Sequence, residues 1–286
     1  MKDQASMRIR RRDTANAARG HSVVRELPQL VRKKTQPDSP GARLFAVLEA
    51  IAESDDPVGA VDLVGRVGVP RATVYRLCVG LERLGYLERE LGSKRFVIGQ
   101  RQLDLSINSL MHSSHRAARH SVLQALAREV GETVNVTVLD GNEVVYIDRV
   151  ECQWPLRTHL QLGSRVSLHC GASGKLFLSF MPAERRRRLL AGPLLRYTDR
   201  TITDRRELEE QLKKIRAARY SIDDEEFMQG LIGIAVPVYD ARKRLCATVS
   251  LHAPTARLKA DRVMNHVPAM QRCAEAISKM MAGSAR

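Results

Sequence analysis

Residues 60–99 read AVDLVGRVGVPRATVYRLCVGLERLGYLERELGSKRFVIG, and their order decides the fold. The segment 59–66 places Val61, Leu63 and Val64 at helical spacing. Asp56 and Pro57 mark its expected start, and Gly68, Val69 and Pro70 make a turn after it. The longer segment 71–84 carries Val74, Leu77, Cys78, Leu81 and Leu84 along one side. At 100° per residue, Ala72, Arg76, Val79 and Arg83 fall on the other. Strands expected near 86–90 and 95–98 flank Gly92-Ser93-Lys94, a hairpin tip. Short helix, tight turn, basic helix and hairpin describe a winged helix-turn-helix, whose second helix suits the major groove of DNA.

Charge supports that partner. Residues 41–65 hold one base, Arg43, against five acids, whereas 66–101 hold eight bases against three acids. A polarised field with its bases on the groove side is what phosphate contact requires. The net charge of +15 over 286 residues is weaker evidence, because anionic membranes or RNA would also attract it. The groove-facing candidates are Arg71, Ala72 and Thr73 in the first turn of the second helix, then Tyr75, Arg76 and Arg83 on its exposed side. Arginine can offer two donors to a guanine edge, and Thr73 offers a hydroxyl and a methyl. Lys94 and Arg95 on the hairpin tip suit phosphates.

Working outward, residues 1–40 lack apolar periodicity and read as a disordered basic arm closed by QPDSPG. The DNA-binding unit is expected over 41–99, its first helix at 43–53. A linker helix is expected over 100–117, with Leu103, Ile107, Leu110 and Met111 as a dimerising stripe, and an α+β domain over 118–282. In that domain TVNVTVL (133–139) and EVVYID (143–148) flank Asp140-Gly141-Asn142, a hairpin turn. LRTHLQL (156–162) reads as a strand, 119–130, 172–180, 183–191 and 204–218 as helices, 231–240 and 244–253 as strands, and 261–281 as a closing helix. The five cysteines are widely spaced without a CxxC pair, which argues for reduced thiols and a cytoplasmic setting. No run of eighteen apolar residues suggests a membrane span, and no apolar stretch near the N-terminus suggests a secretory signal.

Four stretches resemble the IclR-type bacterial transcriptional regulators: PRATVYRLCVGLERLGYLERE, LGSRVSLHCGASGKLFLSF, YSIDDEEFMQGLIGIAVPVYD and LCATVSLHAPTAR. The resemblance covers roughly 42–281 in order and spacing. It implies a winged helix, a dimerising linker helix and a GAF-like α+β effector domain. It also implies a homo-oligomer (a dimer or a dimer of dimers) acting on double-stranded operator DNA, with small carboxylates or aromatic acids as effectors. Family ligand positions fall on Ala172, Ser173, Asp223, Gly233, Ser250 and His252. Gly233 and His252 depart from relatives that carry polar and hydroxyl side chains there. A glycine suggests room for a larger ligand, and a protonated His252 would add charge. Leu156, Leu160 and Leu162 are the expected apolar wall. The helix start in GASGK (171–175) has its own reason to hold an anion, since unpaired N–H groups and the positive dipole end meet there. Lys175 reads as half of a structural ion pair.

Enzymatic readings find less support. GASGK is no phosphate-binding loop, because His169 stands where a glycine is needed and Leu176 follows the lysine. Ser173 lacks a nucleophile elbow, so no catalytic residue and no cofactor is expected. His159, His169, Cys170, Asp223 and His252 show no compact metal-ligand spacing. The alternatives are a metal-binding regulator of the same fold and a non-specific architectural DNA protein; the latter leaves the second domain without a purpose.

Overall fold

A computed structural model describes residues 37–54, 56–90, 92–112, 115–156 and 160–283. The basic arm at 1–36 therefore lies outside the described residues.

Ser39 caps α1 (Pro40–Ala52), its hydroxyl accepting from the Ala42 amide, and Pro40 occupies the first turn, where its missing N–H costs nothing. α2 (Ala60–Val67) starts at Gly59 rather than at Asp56-Pro57, because the Asp62 carboxylate reaches back to the Gly59 amide. Gly68 ends it in the left-handed conformation, at φ 70°. After Pro70 comes α3 (Arg71–Arg83), then the antiparallel pair β1 (Leu87–Arg89) and β2 (Phe96–Ile98). Val47, Ile51, Leu63, Val74, Leu81 and Phe96 are among the side chains that close one core here.

α4 (Gln100–His112) leads out of this unit, and α5 (His115–Val130) begins the next. Over the expected linker helix, 100–117, α4 is described to 112 and α5 from 115, with 113–114 outside the described residues, and α5 opens four residues before the expected 119. No residue of α4 is fully buried. Ile107, Leu110 and Met111 pack half-buried against the core of the larger domain, and Leu103 is half-buried too.

The larger domain is built on an antiparallel sheet in the order β5-β4-β3-β8-β7-β6. Its strands are β3 (Thr133–Asp140), β4 (Glu143–Val150), β5 (Arg165–Ser167), β6 (Ser221–Asp224), β7 (Leu231–Tyr239) and β8 (Leu245–Pro254). α6 (Ala172–Phe180), α7 (Ala183–Leu189), α8 (Arg205–Ala218), α9 (Ala260–Val263) and α10 (Val267–Gly283) complete it. No strand is present among the described residues of 156–162, where one was expected. These residues are bend, turn or irregular, 157–159 lie outside the description, and the pairing with β4 is made by β5 instead.

Side chains alternate between the two faces of a strand, and here the faces differ in chemistry. Val134, Val136, Val145, Ile147, Ile232, Ile234, Val249 and Leu251 pack against α5 and α10 in an apolar core. The opposite face turns toward α6 and α8. Its edge packs Val144, Leu176, Leu208 and Leu212, but its centre is polar.

Candidate DNA interface and effector chamber

The structure brings some of the expected groove-facing residues of α3 and the wing together and leaves others apart. Arg71, Ala72, Tyr75, Arg76, Arg83, Lys94 and Arg95 are exposed, and Thr73 is half-buried. Between α3 and the wing lies a cleft of about 860 Å³ that brings together Arg71, Ala72, Tyr75, Lys94, Arg95 and the unforeseen Arg89. Arg76 and Arg83 lie further along α3, outside this cleft. Arg89 is held by two bonds to the Glu82 carboxylate, at 2.8 and 3.1 Å, and stacks over Phe96 at 4.8 Å. Arg95 donates to the Pro57 carbonyl at 3.0 Å and lies 3.7 Å from Asp62. It braces the wing against α2 as well as facing outward. The wing's Glu90 accepts from Arg188 of α7 at 2.7 Å, an ion pair between the DNA-binding unit and the larger domain. Another link starts at Arg165 on β5, which pairs with Asp140 at 2.5 Å and Glu143 at 3.4 Å and reaches Asp104 of α4 at 3.9 Å.

The polar face of the large sheet gathers most of the expected effector residues. The pairing register lays them out in rows. Arg149, Asn135, Ser250, Ala235 and Ser221 run across five strands, and beside them run Thr133, His252, Gly233 and Asp223. Asn135, Ser221, Asp223, Ser250 and His252 are all buried. Thr248 donates to the Ser173 hydroxyl at 2.8 Å and bonds Thr137 at 2.7 Å, which sets the start of α6 over this face. Ala172 and Ser173 are buried, and their amides precede the first bond of the helix, from Lys175 N to the Gly171 carbonyl. The hydroxyls of Ser250 and Ser221 are buried with no hydrogen-bond partner among the described residues. Such groups are rare in native proteins and call for an occupant, a water or a ligand.

Sequence reading missed Asn135, Thr137, Thr248, Tyr146 and Arg149. For the first three, the alternation of valine with Asn and Thr in β3 and β8 was the available signal. Arg149 was concealed by a β-bulge. Val136 pairs with Asp148 but Thr137 pairs with Tyr146, so Ile147 is the extra residue. Ile147 packs in the apolar core and Asp148 bonds Arg119 and His120 of α5, both away from the polar face. The phase of β4 is thereby reversed, and Arg149 turns inward.

Asn135 fixes the polarity of this interior. Arg149 Nη1 donates to Asn135 Oδ1 at 3.0 Å, and Asn135 Nδ2 faces His252 Nδ1 at 3.0 Å. Arginine can only donate, so the amide oxygen faces it and the amide nitrogen must donate to an unprotonated Nδ1. His252 is therefore neutral, carrying its proton on Nε2. Burial, helped by Arg149, pushes its pKa down to about 4. The charge that a protonated His252 would have added is therefore absent near neutral pH. The expected room at Gly233 is also corrected. A Cβ there would stand 2.9 Å from His252 Cδ2, so the imidazole already occupies the space a side chain would take. The two departures from the family pattern are one packing arrangement. Gly233→Ala should cost about 1 kcal/mol of stability, the low end for overpacking. Adding His252→Ser should recover it in a double-mutant cycle measured by urea unfolding; simple additivity would contradict the arrangement.

Acidic groups close the far side. Asp223 Oδ1 accepts from the Glu226 and Phe227 amides, and burial pushes its pKa up to about 7. Lys175 is fully buried and donates to the Glu226 carboxylate and, at 2.7 Å, to the Ile222 carbonyl, which is the structural pair expected for it. Leu160 is half-buried, but Leu156 is 64% and Leu162 38% exposed, so those two are not folded over the chamber as an apolar wall. Of the metal-site alternatives, His169 bonds the Leu195 carbonyl at 2.8 Å, Cys170 is a buried free thiol, and His159 lies outside the described residues.

Comparison with known proteins adds to this geometry. Residues 42–91 match the IclR helix-turn-helix domain, and residues 108–279 match the family described as bacterial transcriptional regulator IclR C-terminal. A Cupriavidus necator protein described as "Probable transcriptional regulator SauR" is 41% identical over 238 residues, covering 83% of this chain and 94% of the relative. The crystal structure of the Thermotoga maritima IclR superposes with a TM-score of 0.57 at 29% identity, covering 84% of this chain and 97% of that one. An IclR homologue from Microbacterium hydrocarbonoxydans, complexed with 4-hydroxybenzoate, shares the fold at a TM-score of 0.54 and 24% identity, covering 86% of this chain and all of that one.

Proposed function

The chain belongs to the IclR family of bacterial transcriptional regulators, and from that premise we propose that it is a cytoplasmic homo-oligomer whose operator binding is set by a small organic acid. The observation that carries the effector half is the buried polar face beneath the α6 N-terminus, with two serine hydroxyls still to be satisfied. A helix N-terminus attracts an anion through its unpaired N–H groups and dipole. Ala172, Ser173, Asp223, Ser250 and His252 supply the contacts in this reading. The relative that holds 4-hydroxybenzoate supports an aromatic acid as occupant. On the DNA side, Arg71, Thr73, Tyr75 and Arg76 enter the groove while Lys94 and Arg95 take phosphates.

Coupling runs through α4 in this account. Ile107, Leu110 and Met111 sit half-buried on the effector domain, and Leu105 is 52% exposed, an apolar surface suited to the same helix of a second subunit. The acid must bind the two spacings of the paired winged helices unequally, since equal affinity shifts nothing.

Asp223 gives this reading a pH signature. Its carboxyl is protonated below about pH 7 and charged above. A charged Asp223 repels an acid held in the same chamber, so affinity should fall as pH rises from 6 to 8. The limit is about tenfold per pH unit above 7 if only the protonated form binds. Titration calorimetry of the wild type and Asp223→Asn tests this; the variant should flatten the profile. A thermal-shift screen of small carboxylates tests the reading itself, because a ligand of the native state raises the melting temperature. A screen without any response among acids would overturn the effector half.

A further inference from the structure

We propose that Arg149 is the receptor for the acid group of the effector, and therefore the residue that makes the chamber select anions over neutral analogues of the same shape. This rests on the effector reading above and adds to it the residue that recognises the charge.

The placement of Arg149 carries the argument. Its side chain is 6% exposed, although it lies one residue from the end of β4. The bulge at Ile147 turns it from the helix-packed face to the polar one, and bulges are devices that re-aim a side chain next to a site. Once inside, the guanidinium shares a register row with Asn135 and with Ser250, whose buried hydroxyl has no partner among the described residues. Asn135 holds it at 3.0 Å, and its field reaches both His252 and Tyr146. The Glu151 carboxylate, one-third exposed at the rim, lies 3.4 Å from Nε.

Lys175 is also a buried cation on this side of the sheet. Lys175 is engaged by Glu226 and the Ile222 carbonyl. A guanidinium presents its donors in a planar fork, the geometry that matches a carboxylate's two oxygens. The far end of the chamber is acidic, at Asp223 and Glu226. An acid lying along the row is therefore drawn with its charge toward β4. Its body points along the row toward Ser250. A polar atom on that body then gives the Ser250 hydroxyl a hydrogen-bond partner.

The test compares wild type, Arg149→Met and Arg149→Lys by calorimetry and thermal shift. The probes are benzoate, 4-hydroxybenzoate, malonate and succinate, each beside its neutral amide. An acid that binds the wild type should bind Arg149→Met about 10–100-fold more weakly, the loss expected for a charge-assisted, forked contact. Arg149→Lys should regain part of that loss, since it restores charge without the fork. Any affinity for the amides should be the same in all three proteins. Arg149→Lys also serves if Arg149→Met fails to give a cooperative melting transition: lysine binding the acid as tightly as arginine, with the amides also unaffected, would overturn the forked receptor. Equal affinity of an acid for wild type and Arg149→Met would overturn this assignment and leave the effector reading intact. Failure of every acid to bind the wild type would overturn both.

Discussion

Lys175→Met should destabilise the protein by about 3–5 kcal/mol, measured as the loss in urea unfolding free energy at pH 7.5, because it strands a buried carboxylate. The ammonium is fully buried and its partner Glu226 is 5% exposed, with Asp223 close by. Burial already raises the pKa of Glu226, and Lys175 is the largest influence opposing that rise. Without the lysine, Glu226 in the folded state would hold its proton to a higher pH than in the unfolded chain. The penalty is then complete above the folded pKa and disappears as pH falls below the ordinary carboxylate range. The variant should consequently recover toward wild-type stability between pH 7.5 and pH 4.5. A deficit that stays constant over this interval would show that the lost energy is packing and not charge. Replacing both Lys175 and Glu226 by apolar residues of similar volume should cost far less than the single change.

Arg76→Ala should weaken operator binding by about 1–3 kcal/mol if Arg76 reads a base, and the loss should vanish on operators altered at the base it contacts. Arg76 is exposed on α3, one helical turn beyond Ala72. Lys94→Ala on the wing should behave differently. It should weaken binding to all sequences alike and lower the slope of log affinity against log salt by about 0.9, the share of one phosphate contact. Fluorescence anisotropy at several salt concentrations separates the two kinds of loss. An Arg76→Ala protein with unchanged affinity would remove that residue from the reading surface.

Helix signals were the most legible part of the sequence. The segment 172–180 forms a helix with those bounds, and Asp204 caps α8 where the periodicity starts. Pro70 and the left-handed Gly68 punctuate the helix-turn-helix as their chemistry requires. β5 and β6 escaped notice because three or four residues are too few to show alternation. The expected strand at 156–162 failed for the complementary reason. Three leucines at intervals imitate a strand face, yet the structure gives two of them to solvent. In the chamber, motif positions such as Ser173 and Asp223 were visible, while their environment was not. Asn135 and Ser250 meet from 115 positions apart, and the compensation between Gly233 and His252 exists only once β7 and β8 pair. Arg149 shows the limit most plainly. One extra residue in β4 reverses its face, and nothing in the sequence marks where the bulge falls.

The most direct test titrates the full chain against the intergenic DNA flanking its gene and against a scrambled duplex of equal composition, at fixed salt, with and without an acid that raises its melting temperature. The expected result is a preference of at least about 10³ for the natural sequence, changed severalfold or more by the acid in the wild type and unchanged by it in Arg149→Met. Equal affinity for the two duplexes, or a preference that the bound acid leaves untouched, would contradict the account.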